Sequence, residues 1–192
     1  MKALTLLALL FSLSASAEEI PLPTLVRFNT VCATCHEGEC SGRLSFDSGA
    51  TGALGHMQRH LGNIGEVEAR DLFGLIKYTK EHCAHYPVIG NVPTNGVWTA
   101  ADLAVWRNPQ AGAYFVALGS LPAGNYRLRL TFNSPAQGRL KITDRQFEPV
   151  IEETLCSDKV QEFNLTVSTG PHYLTLHSQG ELSGMWVEKI RR

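Results

Sequence analysis

The pentapeptide Cys32-Ala33-Thr34-Cys35-His36 constrains this chain more than any other stretch. It places two thiols and an imidazole within five residues, the attachment signature of a c-type haem. The thiols add across the haem vinyl groups, and the two-residue gap lets both reach one edge of the macrocycle. The adjacent imidazole then falls under the iron as its proximal ligand. A structural zinc site would want a second Cys/His pair, and a redox dithiol wants a thioredoxin-like βαβ context that is missing here. The expectation is one covalent haem c, held by Cys32 and Cys35 with His36 on the iron.

The start of the chain suits that chemistry. Met1-Lys2-Ala3 leads into an apolar run from Leu4 to Leu13, and Ala15-Ser16-Ala17 forms a small-x-small cleavage site before Glu18. This reads as a secretory signal peptide over residues 1–17, so the mature protein is expected in the periplasm or outside the cell. No later stretch approaches ~20 apolar residues, and no membrane span is expected. A formal net charge of −1 offers no electrostatic case for nucleic acid. Three cysteines remain beyond the haem motif: Cys40, Cys83 and Cys156. Cys40 and Cys83 are the disulfide candidates in an oxidising compartment, and Cys156 could replace either.

Two periodicities divide the rest. Thr24 to Val31 reads as a short helix entering the haem motif, and Glu37 to Gly55 as loop. His56 to Leu61 reads as a brief helix stopped by Gly62 and Gly65. Glu66 to Cys83 is the strongest helical segment, with Leu72, Leu75, Ile76, Thr79 and Cys83 on one face and Arg70, Lys77 and Glu81 on the other. Acidic residues crowd its start and basic ones its end, as the helix dipole favours. Residues 87–96 hold two prolines and two glycines and read as a linker.

Beyond the linker the period becomes two. Tyr126 to Phe132, Phe163 to Val167 and Tyr173 to Leu176 alternate, and Ala113–Leu118, Gly138–Ile142, Phe147–Thr154 and Met185–Ile190 add candidate strands. Asn133-Ser134-Pro135 and Thr169-Gly170-Pro171 read as turns. The expected fold is therefore two domains. A small all-α haem domain over residues 18–86 precedes an all-β antiparallel sandwich, or jelly roll, over residues 97–192.

Residues 24–83 resemble a small class I cytochrome c. The resemblance rests on Phe28 four residues before the first haem cysteine, on Cys32 to His36, and on Leu75-Ile76-Lys77-Tyr78 in the closing helix. It implies an N-terminal helix crossing a C-terminal one, with aromatics at the crossing. Thr24 departs from the family's usual helix-contact glycine, and no proline follows His36 at the usual distance. Residues 97–192 resemble the galactose-binding-like β-sandwich of some carbohydrate-binding modules, through Leu121 to Leu128 and Gly170 to Ile190. That resemblance implies a fold more than a ligand.

The second axial position of the iron has five candidates: His56, Met57, His60, His82 and His85. Spacing to Tyr78, compared with the resembled family, favours His60, with Met57 as the alternative; His56, one turn from His60, could instead touch a propionate. A thioether would raise the potential and a second imidazole lower it. His82 and His85 read as a satisfied helix end, and Lys77 and Lys80 as a solvated face or part of a docking surface. Asp144, Glu148, Glu152, Glu153 and Asp158 read as solvated positions. Among the tryptophans, Trp186 reads as core and Trp106 as the better exposed platform for a sugar.

The function expected from these residues is one-electron transfer by an exported monohaem cytochrome, with no enzymatic reaction of its own. The β-domain would dock redox partner proteins or a glycan. One alternative is a glycan-binding module carrying a haem donor for an oxidative enzyme. Another is a haem sensor or catalyst with an open distal site.

Overall fold

The computed structural model describes residues 20–36, 49–88 and 92–190. The expected signal peptide and Cys40 lie outside these residues. Helix α1 (Leu22–Arg27) starts after Pro21, with Pro23 in its first turn, where a missing N–H costs nothing. A π-helical turn (Phe28–Cys32) and α2 (Ala33–His36) continue it through the haem motif.

Helix α3 (Gly49–Leu61) begins seven residues earlier than the sequence suggests. Ala53, Leu54 and Leu61 pack against the core, and that contact outweighs the low helix propensity of Gly49, Thr51, Gly52 and Gly55. Its end is the expected one: Gly62 takes a left-handed φ of 76° and its N–H reaches the Gln58 carbonyl at 2.9 Å. Helix α4 (Glu66–His82) buries Ala69, Leu72, Leu75, Ile76 and Thr79, the apolar face read from the sequence. It also buries Lys80, which the sequence reading placed in solvent. Lys77 stays exposed and faces Glu81 at 3.6 Å.

The rest of the described chain is a curled antiparallel sheet in the order β1-β7-β4-β6-β3-β2, with β5 on β4. The strands are β1 (Val97–Thr99), β2 (Arg107–Asn108), β3 (Ala113–Leu121), β4 (Gly124–Asp144), β5 (Pro149–Val167), β6 (Gly170–Ser178) and β7 (Leu182–Lys189). A short helix α5 (Ala100–Ala104) sits between β1 and β2, opened by a reciprocal cap between Thr99 and Asp102. Strand β4 shares its length between two partners: Tyr126–Phe132 pair with β7, and Gly138–Asp144 with β6.

Asn133-Ser134-Pro135 is thus not a turn between strands. It lies inside β4, where the β5 register breaks between Thr131 and Ala136, so the N–H that Pro135 lacks is not required there. The curl brings Leu128, Leu130 and Phe132 from one half of β4, and Leu140 and Ile142 from the other, into one core. The change of periodicity marks where helices give way to strands. The buried side chains on its two sides, from Leu25, Phe28 and Leu72 to Trp98, Trp106 and Phe115, belong to one contiguous cluster.

Candidate functional site

The Cys32–His36 pentapeptide sits where the helix backbone loosens. The N–H of Ala33 bonds the carbonyl of Phe28, five residues back, in place of the usual four. Three side chains satisfy neighbouring carbonyls. Asn29 Nδ2 donates to Leu25 O at 2.9 Å, Thr30 Oγ1 to Val26 O at 2.8 Å and Thr34 Oγ1 to Val31 O at 2.6 Å. The wider turn is tied to the sheet from the other side: Asn108 Nδ2, on β2, donates to Thr30 Oγ1 at 2.9 Å in a buried bond. Cys32 and His36, four residues apart, therefore share one helical face, and Cys35 stands exposed one residue before His36.

Both thiols are free. Burial pushes the Cys32 thiol up to about 11, against the opposing pull of the Arg27 guanidinium. A redox dithiol works through a depressed thiol, and burial shifts Cys32 the other way. Among the described residues no group of three or more Cys, His, Asp or Glu is placed to hold a metal ion by itself.

Helix α3 faces the motif with two imidazoles. The His36 and His56 ring centroids are 6.3 Å apart with ring planes 70° from parallel, and His60 lies 4.8 Å from His56. Met57 is 3% exposed and belongs to the core cluster. The residues fit a covalently attached haem on three counts: two free thiols at the required spacing, an imidazole directly after them, and a second imidazole whose ring centre lies 6.3 Å from the first.

The other histidine candidates are placed elsewhere. His82 stacks on Tyr78 at 4.1 Å and its Nδ1 lies 3.1 Å from the Tyr78 carbonyl, closing α4 as its sequence position suggests. His85 is not part of that closure. It is buried among the rings of Phe115, Phe147 and Tyr173, with Nε2 2.9 Å from Thr143 Oγ1, and burial drives its pKa down to about 3. It is a pin between the helices and the sheet. Cys83 is disulfide-bonded and takes a left-handed φ of 48° at the end of α4, whereas Cys156 is an exposed free thiol.

On the sheet, the two tryptophan readings are reversed. Trp106 is fully buried beneath the turn that joins α5 to β2. Trp186 is 38% exposed, because β7 alternates and its neighbour Met185 takes the inward position. The Trp186 ring lies over Gly184, where a Cβ would clash with it, and the Arg129 guanidinium sits 5.8 Å from its centre. Arg129 also faces Glu162 at 3.6 Å. Asn95, Arg127 and Glu188 complete a groove of about 510 Å³ around this row. Of the acidic residues, Asp144 accepts the N–H groups of Gln146 and Glu148 in the β4–β5 turn, and Glu152 faces Arg139 at 3.6 Å.

No protein-family model matches the chain, and no curated protein does. Among solved structures it is similar to a family 35 carbohydrate-binding module from an environmental isolate, at 10% identity and a TM-score of 0.30. That match covers 39% of this chain and 64% of the other. It is also similar to the C-terminal CBM6 of LamC, a marine laminarinase from Zobellia galactanivorans, at 14% identity and a TM-score of 0.30, over 41% of this chain and 74% of that one. A CBM35 from Cellvibrio japonicus Abf62 matches at 11% identity and a TM-score of 0.29, over 39% and 63% of the two chains.

Proposed function

We propose that this protein is an exported monohaem c-type cytochrome that passes single electrons between partner proteins. One observation carries the reading: Cys32, Cys35 and His36 stand on consecutive helical turns, with the His56 ring centre 6.3 Å from that of His36. When bound, the haem supplies reversible one-electron oxidation and reduction of its iron. The chain's own residues do the rest. Cys32 and Cys35 would tether the group, His36 would ligate its iron, and the histidines of α3 lie beside His36. The stretch over residues 18–86 acts as the haem-bearing unit, and Lys77 with its neighbours offers a charged edge for docking redox partner proteins.

The test is covalent loading. Expressed in a bacterial periplasm with haem-attachment machinery, the mature chain should gain the mass of one haem and keep its colour after denaturation. Cys32→Ala combined with Cys35→Ala should abolish both. Colourless protein with both thiols open to alkylation would overturn the proposal.

The sheet supports a second, compatible reading, in which it docks a glycan through Trp186. An exposed indole flanked by charged side chains can cover a pyranose ring and bond its hydroxyls. Retention on insoluble polysaccharides that is lost in Trp186→Ala would support it, and retention that survives the substitution would remove it.

A further inference from the structure

We infer that His56, and neither Met57 nor His60, is the second axial ligand of the iron. The inference rests on the haem reading above and deepens it. An imidazole nitrogen lies about 2 Å from a first-row metal it binds, and the ring centre about 1 Å behind the nitrogen, so two rings gripping one metal from opposite sides have centres about 6 Å apart. The His36–His56 separation is 6.3 Å. Opposed imidazoles on one metal may take any angle about the shared axis, so the 70° between the ring planes satisfies the same arrangement.

The two competitors are placed against it by helix geometry. Met57 follows His56 by one residue, about 100° further round the helix. Its side chain is 3% exposed and packs in the common core. Bringing its sulfur to the iron would mean turning α3 and emptying that position. Met57 instead acts as a peg that fixes the rotation of α3 and so aims His56. The Gln58 side chain helps, reaching the Ile64 carbonyl at 3.4 Å. His60 lies one turn along, about 6 Å further down the axis, and its ring sits 4.8 Å from that of His56. It is placed to limit the swing of His56, and could replace it only if α3 slid by a turn.

The consequence is a six-coordinate iron with two imidazoles and a potential lower than a His/Met pair would give. The experiment uses the holo-protein and its His56→Ala, His56→Met, His60→Ala and Met57→Leu variants, each with covalent haem confirmed by mass. Absorption and EPR spectra, carbon monoxide binding and midpoint potential are recorded. Wild type should be low-spin without a thioether signature. His56→Ala should become high-spin and bind carbon monoxide without displacing a ligand. His56→Met should stay low-spin with a thioether signature and a more positive potential, which guards against a variant that merely loads poorly. His60→Ala and Met57→Leu should stay low-spin with two-imidazole spectra.

Low-spin, two-imidazole spectra in His56→Ala, or a high-spin His60→Ala or Met57→Leu, would overturn the assignment while leaving the cytochrome reading intact. Absence of covalent haem in wild type would instead be the failure of the cytochrome reading itself.

Discussion

Replacing His85 with leucine should flatten the pH dependence of folding below about pH 6.5. The imidazole is enclosed by Phe115, Phe147 and Tyr173, and accepts or shares one hydrogen bond with Thr143. The nearby Lys141 charge adds to the desolvation that opposes its protonation. Its pKa falls from 6.5 to about 3 on folding. Below pH 6.5 the unfolded chain therefore binds a proton that the folded chain refuses, and stability falls as pH falls, down to about pH 3. The unfolded imidazole is half-protonated at pH 6.5 and almost fully so at 4.5, so that step removes about 2 kcal/mol.

His177, whose pKa burial also lowers, adds loss of the same sign in both proteins and cancels in the comparison. At pH 7.5 the leucine variant should be the less stable, by about 1–3 kcal/mol, because Thr143 loses a buried partner. Urea unfolding of both proteins at pH 7.5, 6.5, 5.5 and 4.5, at constant ionic strength, should show two curves that converge as the pH falls. Parallel curves would refute the argument, since they would mean that His85 titrates alike in the folded and unfolded states.

Three further outcomes follow from packing. Trp106→Ala should cost about 3–5 kcal/mol in denaturant unfolding, while Trp186→Ala should stay within about 1 kcal/mol of wild type; equal losses would contradict the burial of the two rings. Gly138→Ala should lower stability by about 1–3 kcal/mol in thermal melts, because the added methyl meets the His177 carbonyl oxygen and, at 2.8 Å, the Cα of Ser178; an unchanged Tm would place those strands further apart. Asn108→Ala removes the buried bond to Thr30 that ties the haem turn to the sheet, and should cost about 1–3 kcal/mol. In the holo-protein it should also speed hydrogen exchange over residues 28–34, and exchange equal to wild type would show the tether to be without effect.

Much of the fold was legible because its causes are local. The alternation from Tyr126 to Phe132 became inward and outward positions of one strand, and the apolar stripe of Glu66–His82 became the buried face of α4. Gly62 ended its helix for a reason one residue can supply. The misreadings share a cause too. Asn133-Ser134-Pro135 has turn composition, yet β4 runs through it because two different partner strands claim its two halves. Trp106 and Trp186 exchanged places because exposure depends on how the α5–β2 turn folds onto the core and on which face of β7 meets it, and short segments carry neither. His85 reads as a helix-end histidine, but Phe115 and Tyr173 from distant strands and Phe147 from the β4–β5 turn enclose it.

The spacing of two thiols and an imidazole is written in the sequence alone, since covalent bonds set it over five residues. The alternation that makes strands, and the stripe that makes α4, are likewise properties of neighbouring residues. Only the tertiary structure decides which imidazole lies beside His36, which indole meets solvent and which histidine is sealed from water. Those outcomes are distances between segments far apart in the chain, set when helices and sheet close on one shared core.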